Sequence, residues 1–82
     1  MKFFVYILES DNKRHYIGQT SDLERRLYQH NHKHKGFTAT AEIWNILSYI
    51  KVDSRNEAIM LERKLKSFKN FRKAIEYINK LE

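Results

Sequence analysis

The sequence predicts an α+β fold in which a three-stranded, mainly antiparallel sheet is flanked by helices in the order β-β-α-β-α-α. Two observations carry this prediction. The short runs "KFFVYILE", "RHYIG" and "IWNILSYIKV" are rich in β-branched and aromatic residues, which is typical of strands. Between and after them, apolar residues recur at helical spacing, and helix-capping patterns precede two of these stretches.

The first two predicted strands form a hairpin. The intervening "SDNK" is a turn, in which Asn12 can take the left-handed conformation. Tyr6 and Tyr16 lie directly opposite each other if the loop has an odd number of residues, such as residues 10–12. The sequence alone leaves this register open.

Three helices follow from capping and apolar periodicity. The first begins at Ser21, which forms an S-x-x-E capping box with Glu24, and runs to about residue 31. The second begins with the same pattern at residues 54–57, and a break near Asn70 precedes the last helix. The apolar stripes of these two helices are Ala58, Leu61, Leu65 and Phe68, then Phe71, Ala74, Ile75, Ile78 and Leu81.

Length and composition indicate one basic domain. The 82 residues fit a single domain spanning 1–82, and 41% hydrophobic residues suffice for one core. The absence of cysteine excludes disulfides and thiolate metal sites. No apolar run approaches the roughly 18 residues of a membrane span, and the N-terminus does not resemble a secretory signal. We therefore expect a cytoplasmic protein without a membrane partner, and the net charge of +6 favours nucleic acid as the partner.

The first predicted helix carries an arginine and a histidine beside its apolar line. Leu23 and Leu27 define the inward side, and Arg26 and His30 lie one turn apart next to it, whereas Arg25 points elsewhere. An arginine in this position can simply cover apolar surface while its charged end stays in water. A lone histidine here would likewise be structural.

The second predicted helix carries a glutamate, Glu62, within its apolar stripe. A carboxylate on a buried face is costly unless it is paired or holds a metal ion. The sequence leaves both explanations open, the pair being with Lys66 one turn on or with an arginine of the first helix.

The hairpin adds two phenols. Tyr6 lies in the middle of the first strand, and Tyr16 stands just before Gly18, where a ligand could approach the backbone or the strand could turn. Two phenols, a guanidinium, an imidazole and a carboxylate suit phosphodiester cleavage. The guanidinium can form forked hydrogen bonds to the negatively charged phosphate. One carboxylate can bind Mg²⁺, which keeps most of its waters, and a phenol or imidazole can relay a proton.

Three stretches, "FVYIL", "YIGQTSDLERRLYQH" and "EAIMLERKLK", resemble the GIY-YIG nuclease domain, and most of all its small standalone bacterial members. The second motif, with Tyr16–Gly18 followed by Arg26 and His30, is the more specific. In the first motif, Phe4–Tyr6 stands where the family has Gly-Ile-Tyr, so only its tyrosine is kept. The resemblance implies an α/β sandwich built on a three-stranded antiparallel sheet. It also implies a metal-dependent endonuclease that hydrolyses DNA phosphodiesters with one Mg²⁺ or Mn²⁺ ion.

The resemblance also implies roles for individual residues. Tyr6 would be the general base or would position the attacking water, and Tyr16 would hydrogen-bond the phosphate or water. Arg26 would stabilise the transition state, and His30 would assist proton transfer. Glu62 would bind the metal ion.

Other expectations concern the partner. Structure-directed cleavage of branched or nicked DNA, in repair or recombination, is expected, with a protein partner supplying specificity; the oligomeric state is left open. The alternatives are a nucleic-acid-binding module with little or no turnover and a protein-interaction adaptor. Thr38 or Thr40, and Asn70 or Asn79, are further candidates, and His30, His32 and His34 could bind Zn²⁺ or Ni²⁺ if they share a face. The residues predicted to contact nucleic acid are Gly18, Lys35, Lys66, Lys69 and Arg72, the last three within a basic run that includes Lys64 and Lys73.

Overall fold

The predicted strands form one antiparallel sheet in the computed structural model, which describes residues 2–32 and 43–81. The first strand is central and is flanked by the second and the third. The predicted fold class and element order are confirmed. The elements are β1 Phe3–Ser10, β2 His15–Thr20, α1 Leu23–His32, β3 Trp44–Val52, α2 Arg55–Ser67 and α3 Phe71–Leu81.

The register of the hairpin places both tyrosines on one face of the sheet. Tyr6 pairs with Gly18, and Tyr16 pairs with Leu8. Because paired residues share a face and side chains alternate along a strand, the tyrosines are diagonal neighbours rather than direct partners. A register shift between β1 and β3 leaves Leu47 unpaired as a bulge.

The hydrophobic core lies on the other face of the sheet. Val5 and Ile7 of β1 are fully buried there against Ala58 and Leu65 of α2 and against Ile78 of α3. The two helices therefore cover this face, and the apolar stripes predicted for them are confirmed in their central positions. The opposite face carries Tyr6 and meets α1, which is where the candidate site lies. None of the helices in residues 2–32 and 43–81 is long and apolar enough to cross a membrane.

The hairpin turn places its left-handed residue one position later than predicted. Lys13 has a φ of 65°, so the prediction for Asn12 is wrong. The Ser10 hydroxyl accepts hydrogen bonds from the backbone N–H groups of Asn12 at 3.2 Å and Arg14 at 3.1 Å. These bonds define a loop whose last residue takes positive φ, which is common in three-residue hairpin loops.

The cap of α1 also differs from the prediction. Asp22, not Ser21, caps the helix, because Asp22 Oδ1 accepts the Arg25 N–H at 3.1 Å. Asp22 in turn donates its own N–H to the Thr20 hydroxyl at 3.1 Å. This bond holds the residue in place at the end of β2, and the helix accordingly begins at Leu23.

The caps of α2 and α3 are formed by predicted residues. Ser54 is extended, and its hydroxyl accepts the Glu57 N–H at 3.1 Å, which confirms the predicted start of α2. Asn70 Oδ1 accepts the Arg72 N–H at 2.8 Å at the start of α3. Of the two late asparagines, Asn70 therefore has a structural role as a helix cap.

Candidate active site

Two tyrosines and a histidine pack together where β1, β2 and α1 meet. The ring centroids of Tyr6 and Tyr16 are 6.2 Å apart, and the His30 ring lies 4.7 Å from Tyr16 and 6.4 Å from Tyr6. Tyr6 is buried, with 1% of its surface exposed, whereas Tyr16 is 42% exposed. The cluster therefore offers a solvent-facing phenol backed by a buried one.

Gly18 makes room for this cluster. A Cβ atom at this position would lie 2.6 Å from the Tyr6 hydroxyl oxygen and 3.0 Å from Cε2 of Tyr16. The backbone of Gly18 does not have a positive φ, so the requirement for glycine here is one of space. The structure speaks against the predicted contact between Gly18 and nucleic acid, because the residue is buried and the Tyr6 phenol fills the space above it.

Two charges from separate helices act on the Tyr6 hydroxyl. The pKa of Tyr6 is raised to about 12, mainly by burial and also by the neighbouring Tyr16 and the Glu62 charge, while the Arg26 charge lowers it. Arg26 of α1 and Glu62 of α2 are thus both close enough to be felt at one phenol. At neutral pH this phenol is protonated. It can donate a hydrogen bond, which suits positioning a water better than abstracting its proton.

Glu62 is paired with Lys66 one helical turn on. The Nζ atom of Lys66 lies 2.7 Å from Glu62 Oε2, and the glutamate side chain is 22% exposed. Their hydrogen bond is the main reason that the pKa of Lys66 is raised, and Tyr16 adds to the effect. Of the two explanations that the sequence left open, the ion pair with Lys66 is present.

The Glu62 carboxylate also fits a hard cation that keeps most of its waters. No group of three or more His, Cys, Asp or Glu side chains in the described ranges could hold a metal ion. Mg²⁺ is often bound through only one or two carboxylates plus substrate phosphate oxygens. Glu62 could supply that carboxylate beside the tyrosines, sharing or exchanging its contact with Lys66.

Arg26 and His30 are placed on α1 as predicted, although the helix is less deeply packed than its apolar line suggested. No residue of α1 is fully buried; Leu23, Leu27 and His30 are half-buried and Arg26 is exposed. The guanidinium can therefore meet a ligand arriving from solvent.

A backbone clamp that the sequence did not reveal fixes α1 against β3. The Asn31 amide donates to the Trp44 carbonyl at 3.1 Å and accepts the Trp44 N–H at 2.7 Å. Trp44 also approaches the His30 ring, with centroids 6.0 Å apart. The sequence carries no signal for this pairing, because it depends on how α1 packs against β3. The roles of Asn31 and Trp44 could therefore not be predicted.

The histidine run does not gather around one point. His30 faces the tyrosines, whereas His32 stacks on Tyr28 with centroids 4.0 Å apart. In a helix, residues two positions apart lie on different sides, which contradicts a shared metal-binding face for these two histidines. The remaining candidates His34, Lys35, Thr38 and Thr40 lie outside the described residues.

The predicted nucleic-acid contacts separate into two groups. Lys66, Lys69 and Arg72 line adjoining cavities near Tyr16. Lys64 lies instead over the rings of Phe68 and Tyr77, 5.5 and 5.8 Å from their centroids, and lines a different cavity. Only the first group is continuous with the candidate site.

Two curated proteins are similar to this chain in sequence. The UPF0213 protein YsiG of Lactococcus lactis subsp. lactis is 37% identical over 62 residues, which are 74% of this chain and 60% of that protein. A UPF0213 protein of Lactococcus lactis subsp. cremoris is 35% identical over 60 residues, 72% of this chain and 61% of that protein. The chain thus spans about three fifths of the length of these curated relatives.

A solved structure shows the same fold. The solution NMR structure of the UPF0213 protein BH0048 from Bacillus halodurans matches with a TM-score of 0.57 and 28% identity, covering 96% of this chain and 84% of that one. The family model described as the GIY-YIG catalytic domain matches residues 2–75, which include the tyrosine pair, Arg26, His30 and Glu62. The chain therefore belongs to the GIY-YIG family of nuclease domains.

Proposed function

We propose that this protein is a divalent-metal-dependent endonuclease that hydrolyses DNA phosphodiester bonds. The observation that carries the proposal is the packing of Tyr6, Tyr16 and His30 into one cluster where β1, β2 and α1 meet. The charges of Arg26 and Glu62 both influence the pKa of the buried phenol in this cluster. Membership of the GIY-YIG family supports the same reaction class. We further propose that residues 1–82 form a single nuclease domain, and that it recognises DNA structure during repair or recombination.

The proposed roles follow from exposure and charge. Arg26 is exposed and can form forked hydrogen bonds to the scissile phosphate, where charge accumulates in the transition state. Tyr16 presents a phenol to solvent and can hydrogen-bond a phosphate oxygen. Tyr6, neutral and fixed by burial, positions the attacking water, and the adjacent His30 can take up or return a proton.

Glu62 would hold Mg²⁺ or Mn²⁺. When bound, such an ion polarises a phosphate oxygen and makes water a better nucleophile. Glu62 is the only member of the proposed set that carries a negative charge. Its charge opposes phosphate binding unless a cation accompanies it; Lys66 is one such cation, and a bound metal ion would take over that role.

The experiment is nicking of supercoiled plasmid with Mg²⁺ or Mn²⁺. We expect Glu62→Gln to abolish nicking while DNA binding is retained. Arg26→Ala should lower turnover by about 10²-fold, as when one preorganised transition-state donor is lost. Arg25→Ala removes the same charge from the next position and should change turnover little. Equal losses in the two arginine variants would contradict the role of Arg26.

A second function is favoured by one observation. The Glu62–Lys66 pair neutralises the carboxylate that would anchor the ion, which suits a module that binds nucleic acid with little or no turnover. This function predicts salt-sensitive DNA binding with no metal-dependent cleavage of duplex, flap or junction DNA. Binding without any cleavage across that panel would favour it over the nuclease.

A further inference from the structure

A groove leads from the candidate site along the edge of β2 to the start of α3. Its adjoining cavities, of about 350 and 540 Å³, share His15, Lys69, Asn70 and Phe71. Both volumes are in the range of roughly 300–1,000 Å³ found for ligand pockets. Tyr16 lines the first cavity and packs against His30, so the groove opens directly from the site.

The groove is lined by cations. Lys66, Lys69 and Arg72 contribute positive charge, and no carboxylate of the described residues lines either cavity. Arg72 stands in the first turn of α3, where a cation opposes the helix dipole. The helix dipole therefore does not favour a cation at this position, and the exposed charge of Arg72 is available to an anionic ligand.

The inner part of the groove is apolar. Ile17 and Leu65 line the first cavity, and Phe71 stacks on His15 with centroids 3.6 Å apart and planes inclined by 13°. Glu9 holds this aromatic pair in place through a 3.1 Å contact to His15 Nε2. Phosphates gain nothing from such a surface, but an unpaired base can pack on it. Bases of an intact duplex remain stacked and paired, so they cannot use it.

We propose that this groove binds the unpaired strand next to the scissile phosphate. Lys69 and Arg72 contact its phosphates, and a base packs against the partly exposed Ile17 and Phe71 side chains. The preferred ligand is therefore DNA with a single-stranded segment, such as a flap, and not intact duplex. The inference rests on the proposed nuclease function for the position of the scissile phosphate, but binding in the groove does not require turnover.

The test measures binding without cleavage. Fluorescence anisotropy with flap and duplex oligonucleotides of equal length, in EDTA, should show several-fold tighter binding of the flap. Arg72→Ala and Lys69→Ala should each weaken flap binding. Each should also flatten the plot of log K against log salt by about 0.7, the value for one phosphate contact on a single strand. Lys73→Ala is the matched control, since it removes the same charge from the same turn of α3 outside the groove.

Two results would overturn the groove assignment: duplex bound as tightly as the flap, or equal losses in the Arg72 and Lys73 variants, which would indicate a response to net charge alone. The outcome is independent of the nuclease proposal. If the Lys69 and Arg72 variants weaken flap binding as expected but the protein cleaves no DNA, the groove is supported and the nuclease proposal is wrong. If the protein nicks DNA with metal but these variants bind like wild type, the nuclease is supported and the groove assignment is wrong.

Discussion

Replacing Gly18 by alanine tests how the two tyrosines are packed. The added methyl group would lie 2.6 Å from the Tyr6 hydroxyl, 2.9 Å from its Cζ atom and 3.0 Å from Tyr16 Cε2. Tyr16 is partly exposed and can move, but Tyr6 is 1% exposed and has nowhere to retreat. The strain therefore falls on the phenol at the centre of the candidate site.

The expected loss of stability combines two effects. Overpacking of a well-packed interior costs about 1–3 kcal/mol. Alanine also loses less backbone entropy than glycine on folding, which offsets about 0.4–1 kcal/mol. The net loss is therefore on the order of 0.5–2 kcal/mol. For a domain of this size each kcal/mol lowers Tm by roughly 4–8 °C, so the loss is measurable by thermal unfolding followed by circular dichroism.

A second variant distinguishes a local clash from a general effect of the substitution. In Gly18→Ala/Tyr6→Phe the hydroxyl that makes the closest contact is absent, although Cζ stays near the methyl group. The double variant should therefore recover part of the lost stability, with a coupling of about 0.5–3 kcal/mol between the two positions. Strictly additive effects, or a Tm for Gly18→Ala at or above wild type, would refute the packing argument.

Four further predictions concern charges and caps. The pKa of Tyr6, followed by NMR of its ring carbons, should rise above about 12 in Arg26→Ala and fall in Glu62→Gln, since these charges lower and raise it; no change in either variant would place both charges elsewhere. Because Tyr6 ionises near 10 when unfolded and at about 12 when folded, the native state binds more protons between these values. Stability should therefore fall as pH rises through that window, and Tyr6→Phe should flatten this fall in urea unfolding. Lys66→Met should bind Mn²⁺ several-fold more tightly in an electron paramagnetic resonance titration, because the lysine competes for Glu62; weaker binding would mean that Lys66 helps to form the site. Asp22→Ala should cost about 1 kcal/mol and Ser21→Ala less than about 0.5 kcal/mol in the same unfolding assay; the reverse order would restore Ser21 as the cap of α1.

Periodicity and turn chemistry predicted the order of the elements, but tertiary contacts chose among neighbouring residues. Ser21 and Asp22 are both good capping residues. Asp22 caps α1 because its N–H donates a hydrogen bond to the Thr20 hydroxyl at the end of β2, which fixes its position. Asn12 and Lys13 compete in the same way for the left-handed position. The hairpin register determines which residue is the last of the loop, and that residue, Lys13, takes the positive φ although asparagine adopts this conformation more readily.

The candidate site was predictable in its residue types and not in its packing. Sequence spacing placed Arg26 and His30 one turn apart, and Glu62 on the inner side of its helix. The sequence could not show that the Tyr6 phenol occupies the space left by the missing side chain of Gly18, since that depends on the pairing of β1 with β2. It also could not choose between a metal ion and Lys66 as the partner of Glu62, because both satisfy the same need of a partly buried carboxylate.

Lys66 links the proposed metal site to the proposed groove. Its ammonium group is held by Glu62, and the same residue lines the first cavity beside Tyr16. An ion bound to Glu62 would release this cation to the groove, where it adds to the charge of Lys69 and Arg72. Since coupling between two ligands is reciprocal, DNA in the groove would tighten metal binding by the same factor as the metal tightens DNA binding. Lys66→Met should therefore lose this coupling, so that flap DNA no longer changes the affinity for Mn²⁺.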